Sequence, residues 1–87
     1  MKADKDKVCR LLKTARGQID GILKMIEQDR YCIDISNQVS ATEAILRKAN
    51  REILTAHMKS CVKEAFEKGN EEEKINELVE LIEKMSK

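Results

Sequence analysis

Three side chains in this 87-residue chain have the types and spacing to hold a soft metal ion. His57 and Cys61 stand four residues apart, so on a helix they project from one face about one turn apart. An imidazole and a thiolate so placed suit a soft or borderline metal. Cys32 lies 25 positions before His57, which along a continuous helix is about 37 Å. One chain therefore does not easily close a site from all three.

Two antiparallel copies of that helix would. In such a pair, positions whose numbers share a constant sum lie opposite one another. Setting Cys32 against residues 57–61 gives a sum of about 91 and a two-fold axis near Ile45-Leu46. The same register puts Ile35 opposite Ala56, Thr42 opposite Ala49, and Val39 near Ile53. Two thiolates and one imidazole without an obvious fourth donor match three-coordinate Cu(I). Structural zinc prefers four ligands and stays open if Glu77 or water completes the shell. Nickel or cobalt would call for further histidines, and the chain has one. Cys9 sits at a core spacing in the first helix, near Leu12 and Arg16, and reads as a small buried or half-buried thiol. An auxiliary thiol or an oxidation site is its alternative role.

The elements that must position these residues are helices. There is no proline, there are three glycines and two aromatics, and Leu, Ile, Glu and Lys abound. The first helix is predicted over about 4–28, with Val8, Leu11, Leu12, Ala15, Ile19, Ile22, Leu23 and Ile26 at helical spacing. Gly17 and Gly21 within it suggest a close helix contact. The apolar pattern lapses around 28–32, where Asp29 or Asp34 is a candidate cap. A second helix over 33–68 carries Ile35, Val39, Thr42, Leu46, Ala49, Ile53 and Ala56 at alternating steps of four and three, a heptad-like seam that calls for a partner. Gly69-Asn70 stops it. A third helix over 71–85 has Ile75, Leu78, Val79, Ile82 and Met85 as its inward set and Glu71, Glu72 and Glu73 at its N-terminus.

A single all-α domain over 1–87 is thus expected, as a three-helix protomer. So short a chain buries a marginal core alone, and an antiparallel homodimer with a four-helix-bundle core resolves both that and the length of the second helix. Three cysteines suit reduced thiols better than a disulfide framework. With neither a membrane span nor a signal-peptide pattern in view, the expected compartment is the cytoplasm.

The run Arg16-Gly17-Gln18-Ile19-Asp20-Gly21-Ile22, followed by Tyr31-Cys32, His57 and Cys61, resembles the copper-sensitive operon repressor family. The likeness spans about Val8 to Ile82, and the Cys, His, Cys spacing is that of its copper-sensing branch; other branches sense nickel or cobalt, formaldehyde, or persulfide. The resemblance implies a disc-shaped dimer of dimers. It also implies one Cu(I) per protomer held between subunits, by Cys32 of one and His57 and Cys61 of the other. Tyr31 and Glu77 match positions that hydrogen-bond near the imidazole and link the third helix to the metal. By residue type alone, Tyr31 is as well an interface aromatic and Glu77 a solvated charge.

Charge supplies the other half of the function. The net charge is only +1, but residues 1–30 hold eight Lys/Arg against five Asp/Glu, whereas residues 67–87 hold four against seven. Without a helix-turn-helix, zinc-finger or RNA-binding signature, contact with double-stranded operator DNA falls to basic residues gathered by oligomerisation. The candidates are Arg10, Lys13 and Arg16, spaced by three, and Arg47, Lys48 and Arg51, with Lys2, Lys5 and Lys7 as a mobile arm. Such a face mainly grips phosphates. The expected function is repression by the metal-free protein and release on Cu(I) binding, which derepresses copper efflux and homeostasis genes. A persulfide sensor working through Cys32 and Cys61, and a copper buffer without DNA binding, are the alternatives. One histidine, with no acid/base pair or cofactor motif beside it, does not make an enzyme, and no small-molecule substrate is expected.

Overall fold

The computed structural model describes residues 1–85, so Ser86 and Lys87 of the expected domain lie outside the described residues. Three helices follow in order: α1 (Lys5–Glu27), α2 (Cys32–Lys68) and α3 (Glu71–Met85). Their ends fall within one residue of those read from the sequence.

The helix ends have local causes. Asp4 caps α1 by accepting from the backbone N–H groups of Asp6 and Lys7 at 3.0 and 3.2 Å. Lys5 and Lys7 therefore belong to α1 and not to a mobile arm. At the far end Asp29 takes a left-handed conformation (φ 53°), and the Arg30 N–H reaches back to the Met25 carbonyl at 3.0 Å, a Schellman closure. Asp29 thus ends α1 and does not cap α2. The cap position of α2 is Tyr31, which makes no side-chain capping bond, and Asp34 serves the first turn through its charge. Gly69 closes α2 with φ 76°, and the Asn70 N–H bonds to the Ala65 carbonyl at 3.1 Å.

α1 and α2 form an antiparallel hairpin. Its register is marked by Thr42 Oγ1 donating to Gln18 Oε1 at 2.8 Å and by a Lys7–Glu52 ion pair at 3.0 Å. Val8 and Ala15 of α1 and Thr42 and Ala49 of α2 are buried. Small residues there let the two backbones approach. The heptad-like seam is accordingly divided. Thr42 and Ala49 are covered within the protomer, while Val39 and Leu46 are left 41% and 43% exposed. The close contact expected of Gly17 and Gly21 is not made within the protomer, since a Cβ on either would meet nothing within 4 Å.

Beyond Ala56, α2 outruns α1, and α3 folds back along that overhang. Leu78 and Leu81 of α3 are half-buried, whereas Ile75, Val79, Ile82 and Met85 of the expected inward set are exposed. The protomer is a slab of 58 × 28 × 12 Å with a radius of gyration of 17.7 Å, against about 12 Å for a compact chain of this length. No large side chain is fully buried among the described residues. No helix is long and apolar enough to cross a membrane among them either.

The two left-handed closures respond oppositely to glycine. Gly69→Ala should destabilise the fold by about 1 kcal/mol through its backbone alone, since its site is open. Asp29→Gly should raise stability slightly. Thermal unfolding by circular dichroism at matched protein concentration reads both.

Candidate metal centre

Cys32, His57 and Cys61 all lie on α2, which runs without interruption from Cys32 to Lys68. At about 100° per residue, Cys32 and His57 differ in direction by about 20°, and His57 and Cys61 by about 40°. The three donors therefore share one face of the helix. Val39 and Leu46, each seven residues further from Cys32, lie on that face too, and both are uncovered. The donors do not meet within the protomer: Cys32 and Cys61 are about 43 Å apart along the axis. No three His, Cys, Asp or Glu side chains converge on a metal position among the described residues.

The C-terminal half of the site is assembled by the α2–α3 turn. His57, Cys61 and Glu64 of α2, Lys74 and Glu77 of α3, and Lys2 from ahead of α1 line one cavity. Glu77 thus lines the same cavity as His57, and its Oε2 accepts from Lys74 Nζ at 3.3 Å. That hydrogen bond, and then the charge of Glu77, raise the Lys74 pKa above the usual lysine value, and the nearby Cys61 adds to the effect. The ammonium stays charged through the neutral range. The sequence reading missed Lys74, although its spacing of three from Glu77 on one helix is a recognisable signal.

Tyr31 stands 67% exposed next to Cys32, at the opposite end of α2 from this cavity. Cys32 is exposed and Cys61 half-buried. Cys9 is also exposed, contrary to the buried or half-buried thiol expected of it, because it lies off the α1 face that meets α2.

All six basic candidates are exposed. Steps of three residues turn a helix back by about 60°, so Arg10, Lys13 and Arg16 fan around α1 and do not form a row. Arg47 pairs with Glu43 at 3.8 Å and borders a hollow with Arg51 and Met85, away from Lys48. Two further cations lie near this set, Lys7 of the expected arm and Lys59, which the sequence reading did not include. Lys7 lies beside Arg10 and bridges to Glu52, which shares a hollow with Arg51 and Lys59.

The sequence profile described as metal-sensitive transcriptional repressor matches residues 4–84. The chain belongs to this family. Its members are transcriptional repressors and not enzymes. A copper-sensing transcriptional repressor CsoR of Bacillus subtilis (strain 168) is 38% identical over 84 residues, covering 97% of this chain and 83% of the relative. One from Mycobacterium ulcerans (strain Agy99) is 42% identical over 71 residues, which is 82% of this chain but only 61% of the relative's length. Two solved structures match with the same TM-score. The copper-sensing repressor CsoR with Cu(I) from Geobacillus thermodenitrificans NG80-2 has a TM-score of 0.83 at 36% identity, covering 100% of this chain and 94% of its own. The nickel-responsive transcriptional regulator InrS has a TM-score of 0.83 at 30% identity, covering 97% and 94%. A copper sensor and a nickel sensor thus share this backbone, and the metal must be argued from the donors.

A Cys32–Cys61 disulfide within one chain is ruled out, since the two α-carbons of a disulfide lie within about 7 Å of each other. In a Cys9→Ser background, mild oxidation should therefore produce any such crosslink only as a covalent dimer on a non-reducing gel. A crosslinked monomer would contradict the continuous α2.

Proposed function

We propose that this chain is a Cu(I)-responsive transcriptional repressor, bound to operator DNA when metal-free and released when Cu(I) binds, so that genes of copper efflux and homeostasis are expressed. One observation carries the reading. The three soft donors lie on the α2 face that also bears the uncovered Val39 and Leu46. A second copy of α2 laid antiparallel on that apolar stripe would bring its Cys32 beside His57 and Cys61. Covering the stripe and completing the donor set are then one event.

The donor set fits the ion. Two thiolates and one neutral imidazole are soft and few, as Cu(I) prefers. The chain's single histidine is poor provision for nickel. Cys32 of one protomer, with His57 and Cys61 of the partner subunit, would hold one Cu(I) per protomer between subunits. A ligating imidazole is oriented by an acceptor for its other ring N–H. Glu77 lines the same cavity as His57 and is suited to that role, with Tyr31 entering beside Cys32 from the other chain.

The homodimer and a dimer of dimers gather Arg10, Lys13, Arg16, Arg47, Lys48 and Arg51, each weak alone, onto a surface able to track phosphates. Lys7 and Lys59 extend that set. The site of action is the cytoplasm. Because Cu(I) and DNA favour different arrangements of one assembly, DNA must weaken Cu(I) affinity by the factor by which Cu(I) weakens DNA affinity.

Fluorescence anisotropy with a duplex from the chain's own promoter tests the whole reading: Cu(I) should lower DNA affinity at constant salt, and an unchanged affinity would sink it. Cys61→Ala should abolish tight Cu(I) binding and Cys9→Ala should preserve it, as measured by chelator competition. Cys32→Ala and His57→Ala homodimers should each fail to bind. Mixed heterodimers of those two variants should recover one Cu(I) per dimer, which a site within one chain would not allow.

A further inference from the structure

Two polar residues interrupt the uncovered face of α2. At about 100° per residue, Glu43 and Asn50 point within about 20° of Cys32, on the face that carries Val39, Leu46, His57 and Cys61. Both are exposed in the protomer. Glu43 lies 3.8 Å from Arg47, beyond hydrogen-bond distance, so its carboxylate keeps accepting capacity. A carboxylate and an amide on a seam with Val39 and Leu46 cost stability once covered, unless each finds a polar partner there.

Their positions supply that partner by symmetry. Glu43 stands eleven residues after Cys32, and Asn50 stands eleven residues before Cys61. An antiparallel α2 pair that sets Cys32 against the partner's Cys61 therefore sets Glu43 against the partner's Asn50. The match occurs twice, once on each side of a two-fold axis near Leu46. That register is defined by the donors alone, so the Glu43–Asn50 match points to the same pairing independently. A slip of seven residues in one direction would set Glu43 against the partner's Glu43, two like charges in a closing interface. The opposite slip would set Asn50 against the partner's Asn50. Either one moves Cys32 about 10 Å away from the partner's Cys61.

We propose that Glu43 and Asn50 are the register key of the α2 pair: the Asn50 side-chain amide of each protomer donates to the partner's Glu43 carboxylate, and the two bonds hold Cys32 level with the partner's Cys61. The inference rests on the antiparallel pairing of the copper-repressor reading and adds the contact that fixes its register. Val39 and Leu46 supply apolar area, but the hydrophobic effect is non-directional and tolerates sliding. A polar pair within a seam is satisfied in one register only. Glu43 and Asn50 stand outside the donor set and act as positioning residues.

A charge swap on the full-length chain tests it. One readout is Cu(I) affinity by chelator competition. The other needs no metal: the rate at which Cys32 and Cys61 crosslink to a covalent dimer on mild oxidation, in a Cys9→Ser background. Circular dichroism checks that each variant is folded. Asn50→Glu sets two carboxylates against each other and should lower both readouts about tenfold or more. Glu43→Asn combined with Asn50→Glu exchanges the partners in the same register, and should bring both back to within about twofold of wild type. Crosslinking of Asn50→Glu at the wild-type rate, or a double variant no better than Asn50→Glu alone, would overturn the key. Crosslinking lost and restored as expected, without tight Cu(I) binding in the wild type, would keep the key and count against the repressor reading. Tight Cu(I) binding untouched by Asn50→Glu would do the reverse.

Discussion

The rigidity of one long helix governs what this protein can do. α2 runs unbroken for 37 residues, and a helix of that length keeps residues at its two ends tens of ångströms apart. Cys32 at its start and the His57–Cys61 pair near its end cannot converge by local adjustment of the loops. Any arrangement that unites them has to import one end of a second α2. Under that constraint a site built from all three donors would also be an assembly interface, and a protomer alone holds only part of the donor set.

The packing of the protomer follows from the same length. α1 covers α2 along one side only, through Val8, Ala15, Thr42 and Ala49, and α3 covers the overhang with Leu78 and Leu81. The result is a slab 12 Å thick, little more than one helix diameter, with Leu12, Ile19, Leu23, Val39 and Leu46 left in the open. Apolar surface on that scale in a small chain marks an interaction face. Covering that face would draw on the hydrophobic effect, and Cys32, His57 and Cys61 lie along the same α2 face as Val39 and Leu46.

At the C-terminal end of α2, charged residues of α3 line the cavity that holds His57 and Cys61. Glu77 brings α3 to the cavity around His57, and Lys74 pairs with its carboxylate there. Arg10, Lys13, Arg16, Arg47, Lys48 and Arg51 lie outside that cavity, on the exposed surfaces of α1 and α2.

Much of this was legible before any fold was seen. Helix lengths, the glycine stop at Gly69 and the shared face of Cys32, His57 and Cys61 follow from local periodicity, which depends only on 3.6 residues per turn. That one chain does not bring the three donors together follows from length alone. What the tertiary structure decided was the division of the apolar seam, with Thr42 and Ala49 turned to α1 and Val39 and Leu46 left free. That depends on the rotation of α1 about α2, which no one-dimensional pattern contains. The exposure of Cys9, expected to be a buried or half-buried thiol, has the same cause: a thiol near a helix's apolar stripe is inside or outside according to how the stripe is set. The cap of α2 passed from aspartate to Tyr31 because Asp29 was taken up in ending α1. The Lys74–Glu77 pair was visible as a spacing of three, but only the return of α3 along α2 brought it to the cavity with His57 and Cys61.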